Sequence, residues 1–245
     1  MGMYKVTHAV CNQGRKLLNL KLKRCGAVIV AAGNATRMGG VDKIMADLGG
    51  EPLILRTVRP FLTSPAISEI VIVTRQELVG TVRNLFAGFD KVTAVVPGGK
   101  DRAESVSAGL EAFQGKIKLA AIHDGARPLV TEEVIDRVVR AANTYGAAAP
   151  AIEVKDTIKV VAGGVVKSTP DRSTLRAVQT PQVFDRDLLR AALKKAKEDA
   201  AAITDDCSAV ERMGMSVKIV KGDEHNLKVT TPMDLRIARM LLEEL

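Results

Sequence analysis

Residues 26–43 read GAVIVAAGNATRMGGVDK, and the change of composition along this stretch decides the fold. Its first part, residues 26–32, is a continuous apolar run of the kind that forms a strand buried on both faces. The run ends in a loop of small residues, 33–40, whose backbone N–H groups can approach a phosphate closely. Arg37 and Lys43 then supply two cations. The stretch predicts a buried strand that leads into a triphosphate-binding loop; the alternative is a glycine-rich turn with solvated basic residues.

The residues that follow alternate between apolar runs and helical patterns. Strands are predicted at 69–74, 91–96 and 118–123, and helices at 52–62, 102–113 and 131–145, with a further helical stretch that ends at Phe86. The helix at 131–145 begins with Thr131 as N-cap and has two glutamates in its first turn, both of which favour a helix start. Such alternation predicts an α/β fold with a doubly wound, mostly parallel, Rossmann-like sheet.

Residues 146–180 depart from this alternation. Three short β-like pieces occur at 147–152, 157–161 and 165–168, and Gly163-Gly164 predicts a hairpin turn between the last two. We therefore expect a β-arm at about 150–175, inserted into the α/β body. Helices at 185–201, 206–213 and 231–242 and a strand at 217–220 complete the pattern. The expected organisation is one domain over residues 25–245, preceded by a basic leader, 1–24, that we expect to be poorly ordered.

Charge and composition exclude several classes of function. Residues 1–24 carry six basic and no acidic side chains, which leaves +2 of the total net charge of +8 for the body of the chain. A nearly balanced body is not typical of a nucleic-acid-binding domain. Cys11, Cys25 and Cys207 are too far apart in sequence to indicate a disulfide framework or a zinc site. No apolar run approaches the ~20 residues of a membrane span. We expect a cytoplasmic protein with neither nucleic acid nor membrane as a partner.

The motif HDGARP at 123–128 directly follows the predicted fourth strand. Ligands of open α/β sheets bind beyond the carboxyl ends of the strands, which is where Asp124 is expected. A carboxylate there is a natural ligand for Mg²⁺, which keeps most of its waters and bridges phosphates. The alternative for Asp124 is a turn cap. His123 is expected to be an oriented strand-end residue, because no second His or Cys lies nearby to complete a metal site.

Two weaker patterns accompany these motifs. Residues 98–105, GGKDRAES, place a glycine pair at the start of a predicted helix. Free N–H groups there could bind an anion, and Ser105 could bind a base or a ribose. Taken alone, this pattern is better interpreted as an ordinary βα turn. Later threonine and basic residues could form a pocket for a phosphorylated polyol, with cations on the phosphate and hydroxyls on the polyol. Individually, each of these later residues is typical of a cap, a turn or a solvated charge.

Taken together, the motifs resemble the methylerythritol phosphate cytidylyltransferases, CTP-using nucleotidyltransferases of the non-mevalonate isoprenoid pathway. The resemblance runs from about residue 26 to residue 242. Its most specific pieces, in chain order, are HDGARP (123–128), VKDTIK (154–159), LRAVQTPQVF (175–184), ITDDCSAVE (203–211) and NLKVTTPMDL (226–235). It implies transfer of CMP from CTP to 2-C-methyl-D-erythritol 4-phosphate, with release of pyrophosphate, on a Rossmann-like nucleotidyltransferase fold.

The same resemblance implies residue roles. The nucleotide would be bound by Ala31, Ala32, Gly33, Asn34, Arg37, Lys43, Gly99, Ser105, Asp124 and Gly125. The methylerythritol phosphate would be bound by Arg127, Thr157, Arg172, Thr180, Thr204 and Lys228. Within these sets, Arg37 and Lys43 would stabilise the charged transition state, Arg172 and Lys228 would position the acceptor, and Asp124 would be linked to Mg²⁺. The arm would make a homodimer in which each subunit contributes to its partner's active site.

The chain departs from the family pattern at the first loop. Ala35 replaces a second glycine, Asp42-Lys43-Ile44 replaces Pro-Lys-Gln, and the separation of Arg37 from Lys43 is one residue shorter than usual. Lys100 also stands where an acidic residue is common. The first loop is similar to that of molybdopterin nucleotidyltransferases, which are one alternative; another polyol phosphate acceptor, such as ribitol 5-phosphate, is a second. Outside this class, the alternatives are a non-catalytic nucleotide sensor and a nucleic-acid-binding module.

Overall fold

The structure is a computed structural model that describes residues 22–33 and 42–244. Asn34, Arg37 and most of the leader therefore lie outside the described residues. The strands are β1 (Cys25–Ala31), β2 (Ile67–Thr74), β3 (Val92–Pro97), β4 (Leu119–Asp124), β5 (Ala147–Glu153), β6 (Val160–Ala162), β7 (Val165–Ser168), β8 (Arg176–Val178), β9 (Gln182–Asp185) and β10 (Lys218–Lys221). The helices are α1 (Leu53–Thr63), α2 (Val79–Leu85), α3 (Arg102–Glu111), α4 (Glu132–Tyr145), α5 (Arg186–Glu198), α6 (Asp206–Glu211) and α7 (Pro232–Glu243).

A twisted central sheet organises the molecule, with the strand order β10-β5-β9-β4-β1-β2-β3. Strand β1 lies near its centre and pairs in parallel with β2 on one side and β4 on the other. Strand β9 runs antiparallel to both β4 and β5, and β8 extends β5, also antiparallel. The prediction of an α/β fold with a mostly parallel sheet is confirmed.

The alternating side chains of β1 show why this segment is apolar throughout. Ala27 and Ile29 belong to the core on one face, which packs against α1 and α4. Val28 belongs to the core on the opposite face, under α3 and α5. Because helices cover both faces, neither set of alternate residues reaches water, and a continuous apolar run is required. The sheet thus holds its strand ends rigidly, and the ends of β1 to β4 border the candidate site.

The structure corrects the prediction for residues 146–180. The first β-like piece, residues 147–152, is not part of an arm: it is β5, a strand of the central sheet paired with β9 and β10. The expected hairpin is formed by β6 and β7, which make a separate two-stranded sheet. Gly163 and Gly164 form its turn with φ of 60° and 76°, a conformation that strongly favours glycine. The arm therefore begins after β5 rather than within it.

Strands β8 and β9 have no counterpart in the sequence prediction. Each is short, and β9 leads directly into α5, whose first turn is capped by Asp185. Among the helices of residues 22–33 and 42–244, none combines the length and the apolar composition that a membrane span requires.

Candidate active site

A cleft of about 480 Å³ opens at the carboxyl ends of the central strands. The sequence-predicted residues that line it are Ala31, Ala32, Gly33, Lys43, Gly99, Ser105, Asp124 and Lys228. One space is thus bordered by the ends of β1 and β4, by the turn at Lys43 and by the β3–α3 loop. This is the expected place for a ligand in an open α/β sheet. The fold brings together two lysines and one carboxylate that are separated by up to 185 positions in the sequence.

Asp124 is the electrostatic centre of the cleft. Its carboxylate, largely buried at the end of β4, faces three cationic side chains among the described residues. Lys228 Nζ lies 2.8 Å from Oδ2, Arg102 Nη2 lies 3.4 Å from Oδ1, and Arg127 Nε lies 3.9 Å from Oδ2. Burial alone would raise the pKa of Asp124, but Arg102 and Lys228 outweigh it and hold the pKa well below its usual range. Asp124 is therefore a carboxylate at any physiological pH.

A hydrogen-bonded chain behind Asp124 fixes its backbone. The Thr180 hydroxyl oxygen accepts the Asp124 N–H at 3.1 Å and lies 3.0 Å from His123 Nδ1. His123 Nε2 lies 3.2 Å from the Arg127 carbonyl oxygen, which can only accept, so that Nε2 carries the proton and Nδ1 accepts from Thr180. Burial lowers the pKa of His123 to about 4, and the ring is neutral. His123 is thus an oriented strand-end residue, and Thr180 lies beneath the site.

The loop that carries Lys228 is docked by side chains from the neighbouring segments. Arg127 Nη1 donates to the Asn226 carbonyl oxygen at 2.6 Å, and Asn226 Nδ2 donates to the Thr180 carbonyl oxygen at 2.8 Å. Gln179 adds a reciprocal pair of hydrogen bonds with the backbone of Asp223. These bonds explain why the Lys228 ammonium meets Asp124 although it belongs to an irregular segment. Arg127 therefore acts on the site through this loop and through its own charge.

The β3–α3 loop is ordered by its own polar groups. Asp101 caps α3 by accepting the Glu104 N–H at 2.8 Å. The Ser105 hydroxyl accepts the Gly99 N–H at 3.1 Å and donates to the Asp101 carbonyl oxygen at 2.8 Å. A Cβ at Gly98 would lie 2.4 Å from Cβ of Ala32, so that only glycine allows this loop to approach the end of β1. The loop thus forms one preorganised wall of the cleft, and Ser105 contributes to its shape.

Sequence reasoning did not select Arg102 and Asp206. Arg102 Nη1 lies 2.7 Å from Oδ2 of Asp206, which is fully buried, while the same guanidinium faces Asp124. Burial would lower the pKa of Arg102, but the charges of Asp206 and Asp124 outweigh it and raise the pKa above its usual range. The position of Arg102 behind a glycine pair at a helix start was the available signal. Its partner lies 104 residues away, and no sequence pattern connects the two.

One predicted nucleotide-site residue, Gly125, and three further predicted acceptor-site residues lie outside the lining of the cleft. Thr204 lines an adjacent cavity of about 730 Å³ that shares Gly98, Gly99 and Arg102 with the cleft. Gly125 lies beneath the cleft, where its carbonyl oxygen accepts a hydrogen bond from the buried Thr57 hydroxyl at 3.0 Å. Thr157 and Arg172 are exposed on the arm, outside the residues that line either cavity within the described part of the chain.

Comparison with known proteins agrees with this arrangement. Residues 25–244 match the family model described as IspD, 2-C-methyl-D-erythritol 4-phosphate cytidylyltransferase. The protein of that name from Symbiobacterium thermophilum is 47% identical over 219 residues, which are 89% of this chain and 92% of the relative. The one from Geobacillus kaustophilus is 45% identical over 219 residues, 88% of this chain and 96% of the relative.

Solved structures give the same result. The 4-diphosphocytidyl-2C-methyl-D-erythritol synthase from Anaerococcus prevotii superposes with a TM-score of 0.81 at 29% identity, covering 90% of this chain and 99% of that one. The 2-C-methyl-D-erythritol 4-phosphate cytidylyltransferase from Thermus thermophilus superposes with a TM-score of 0.74 at 30% identity, covering 88% of this chain and 98% of that one.

Proposed function

This chain belongs to the 2-C-methyl-D-erythritol 4-phosphate cytidylyltransferase family, and from that premise we propose how its cleft performs the reaction. The enzyme transfers the cytidylyl group of CTP to 2-C-methyl-D-erythritol 4-phosphate, giving 4-diphosphocytidyl-2-C-methyl-D-erythritol and pyrophosphate. The observation that carries the assignment of roles is the convergence of Lys43, Lys228 and Asp124 on one cleft at the strand ends.

The chemistry requires positioning and charge neutralisation. A phosphate oxygen of the acceptor attacks the α-phosphorus of CTP in line; a new P–O bond forms, and the bond from the α-phosphorus to the bridging oxygen of the leaving pyrophosphate breaks. No general base is needed, because the attacking phosphate is already ionised at neutral pH. Negative charge accumulates on the non-bridging oxygens and on the leaving group, and fixed cations aimed there lower the barrier.

Lys43 and Lys228 fit two different positions in this scheme. Lys43 borders the cleft beside Ala31, Ala32 and Gly33, where the triphosphate would lie, and we assign it to transition-state charge. Lys228 is held against Asp124 by a docked loop and we assign it to the acceptor phosphate. Arg37 stays a predicted partner of Lys43, since it lies outside the described residues.

The family is generally metal-dependent, and we propose Mg²⁺ as the metal of this enzyme. Within the described residues, no cluster of three or more His, Cys, Asp or Glu side chains could hold an ion by itself. The ionised Asp124 in the cleft fits the usual mode of Mg²⁺, which takes one or two carboxylates together with substrate phosphates and water. When bound, the metal would neutralise charge on the phosphates.

We further propose that the enzyme is a homodimer with shared active sites. Thr157 and Arg172 do not line the cleft of the described part of their own subunit, and they belong to an arm whose hairpin exposes Val161, Val165 and Val166. Burial of such valines against a second copy would be favourable and would bring the two polar residues to the partner's cleft. A cytoplasmic location is part of the proposal and is supported by Cys25 and Cys207, which are both buried, free thiols.

The proposal is tested by pyrophosphate release from CTP in the presence of Mg²⁺ and a panel of acceptors. We expect turnover with 2-C-methyl-D-erythritol 4-phosphate to exceed that with ribitol 5-phosphate or molybdopterin by orders of magnitude, and CTP to exceed GTP. Loss of activity with EDTA and recovery with Mg²⁺ test the metal. Preference for another acceptor, or binding of CTP without turnover, would contradict the proposed function.

A further inference from the structure

Lys43 lies in a short turn whose following residues are fixed in the core. The Ile44 side chain is buried in the main cluster, and the Ile44 carbonyl oxygen accepts the Ile54 N–H at 2.9 Å. The Ala46 carbonyl oxygen accepts the Leu53 N–H at 2.9 Å. The start of α1 therefore holds the turn from its carboxyl-terminal side.

On the amino-terminal side of Lys43, Asp42 holds the turn to the segment that follows β2. Asp42 Oδ1 accepts the Ile44 N–H at 3.1 Å, and the Asp42 carbonyl oxygen accepts the Met45 N–H at 3.1 Å. Asp42 Oδ2 forms an ion pair with Nη2 of Arg75. One carboxylate thus closes the turn around Lys43 with one oxygen and ties it to another element with the other.

Arg75 is suited to this role by its place in the fold. It directly follows Thr74, the last residue of β2, whose carbonyl oxygen accepts the Gly98 N–H at 2.8 Å at the next strand end. The side chains of Arg75 and Asp42 are only 20% and 23% exposed, so that water screens their attraction less than on an open surface. Arg75 also pairs with Glu77, but the Glu77 side chain is 66% exposed, so this second ion pair contributes little to holding Arg75 in place.

We propose that Arg75 is a positioning residue, which through Asp42 fixes the turn that places the Lys43 ammonium in the cleft. The inference rests on the proposed role of Lys43 in transition-state stabilisation. A lysine side chain is long and flexible, so the accuracy of its charge depends on how firmly both ends of its turn are held. Displacement of a catalytic group by about 1 Å can lower a rate by about a hundredfold. The ion pair would therefore contribute to turnover although neither partner needs to touch the reacting atoms.

The test compares Arg75→Gln and Asp42→Asn with the wild type, in steady-state kinetics and in calorimetric titration of CTP with Mg²⁺. Both substitutions remove one charge of the pair. Asp42→Asn keeps the shape of the side chain, and Arg75→Gln leaves a shorter, neutral amide. We expect kcat to fall about tenfold or more while the Kd for CTP changes less than about threefold. Arg75→Lys, which keeps the charge, should recover part of the loss. Arg190→Gln, which breaks the exposed ion pair with Glu111, is the matched control and should leave both constants unchanged.

A double-mutant cycle with Lys43→Ala then separates positioning from direct action. If Arg75 acts through Lys43, Arg75→Gln should lower kcat little further once Lys43 is alanine. A further drop of the same size as in the wild-type background, or a large loss of CTP affinity, would assign Arg75 directly to the phosphates and overturn the inference. Unchanged kcat in Arg75→Gln beside an impaired Lys43→Ala contradicts the inference alone, whereas full activity of Lys43→Ala contradicts the proposed function.

Discussion

Replacement of Asp124 by asparagine tests the electrostatic arrangement of the cleft most directly. The substitution keeps the shape of the side chain and removes one charge from a largely buried cluster. Arg102, Arg127 and Lys228, at 3.4, 3.9 and 2.8 Å, would then face one another across the site. Asp206 would remain to compensate Arg102. The stability of the protein and its activity should both fall, for separable reasons.

The expected loss of stability follows from burial. Removal of one partner of a buried ion pair costs about 3–5 kcal/mol, because the remaining charge is left uncompensated. For a chain of this size, each kcal/mol corresponds to roughly 2–4 °C in Tm, so that Asp124→Asn should melt about 6–20 °C below the wild type at neutral pH. Asp136→Asn breaks an exposed pair with Arg140 and is the control, expected to cost less than about 1 kcal/mol.

The pH dependence of the stability loss shows whether the charge of Asp124 causes it. The folded pKa of Asp124 lies below its unfolded value, so that its contribution is complete above the unfolded pKa of ~3.9 and is lost as pH falls toward the folded pKa. The difference in Tm between wild type and Asp124→Asn, measured by calorimetry, should therefore be constant from pH 8 to about pH 5 and shrink below that. A difference that is absent at pH 7, or that grows on acidification, would refute the reasoning. Activity with Mg²⁺ should fall by at least about a hundredfold throughout.

Three further predictions concern the lysine, the buried arginine and the arm. Lys43→Ala should lower kcat about a hundredfold with little change in the Kd for CTP by calorimetry; equal losses in both would contradict its role in the transition state. Arg102→Gln should lower the free energy of unfolding by about 3–5 kcal/mol in denaturant unfolding, because it leaves the fully buried carboxylate of Asp206 without a counter-charge. Asp206→Asn added to it should restore part of this loss, because that buried charge is then removed. Strictly additive losses would contradict the pairing. When the inactive Lys43→Ala and Arg172→Ala proteins are mixed in equal amounts and exchange subunits, the mixture should regain about a quarter of wild-type activity. Half of the dimers would then be heterodimers, and each heterodimer would carry one intact site out of two. No recovery of activity, despite heterodimers in native mass spectrometry, would contradict shared sites.

Most of the central sheet could be predicted because its strands are covered by helices on both faces. Strands β1 to β4 appear as mostly apolar runs, and their predicted bounds agree with the structure to within two residues. Strand β9 was missed since four residues that pass directly into a helix give no periodic pattern. The segment of β5 is predicted as β-like but is placed in the arm, because the alternation of strands with helices stops at residue 146; the burial of its first five residues shows that it belongs to the central sheet.

The sequence by itself determined the fold class, the family and the strand-end positions of Asp124 and of the Gly98-Gly99 pair, because these depend on local patterns whose physical meaning does not need the rest of the chain. Only the tertiary structure decided which charges face one another. Asp124 meets Lys228 and Arg102 meets Asp206 across about a hundred residues of intervening chain. Coulombic attraction and burial depend on distance in space, and that distance is set by the packing of the whole sheet.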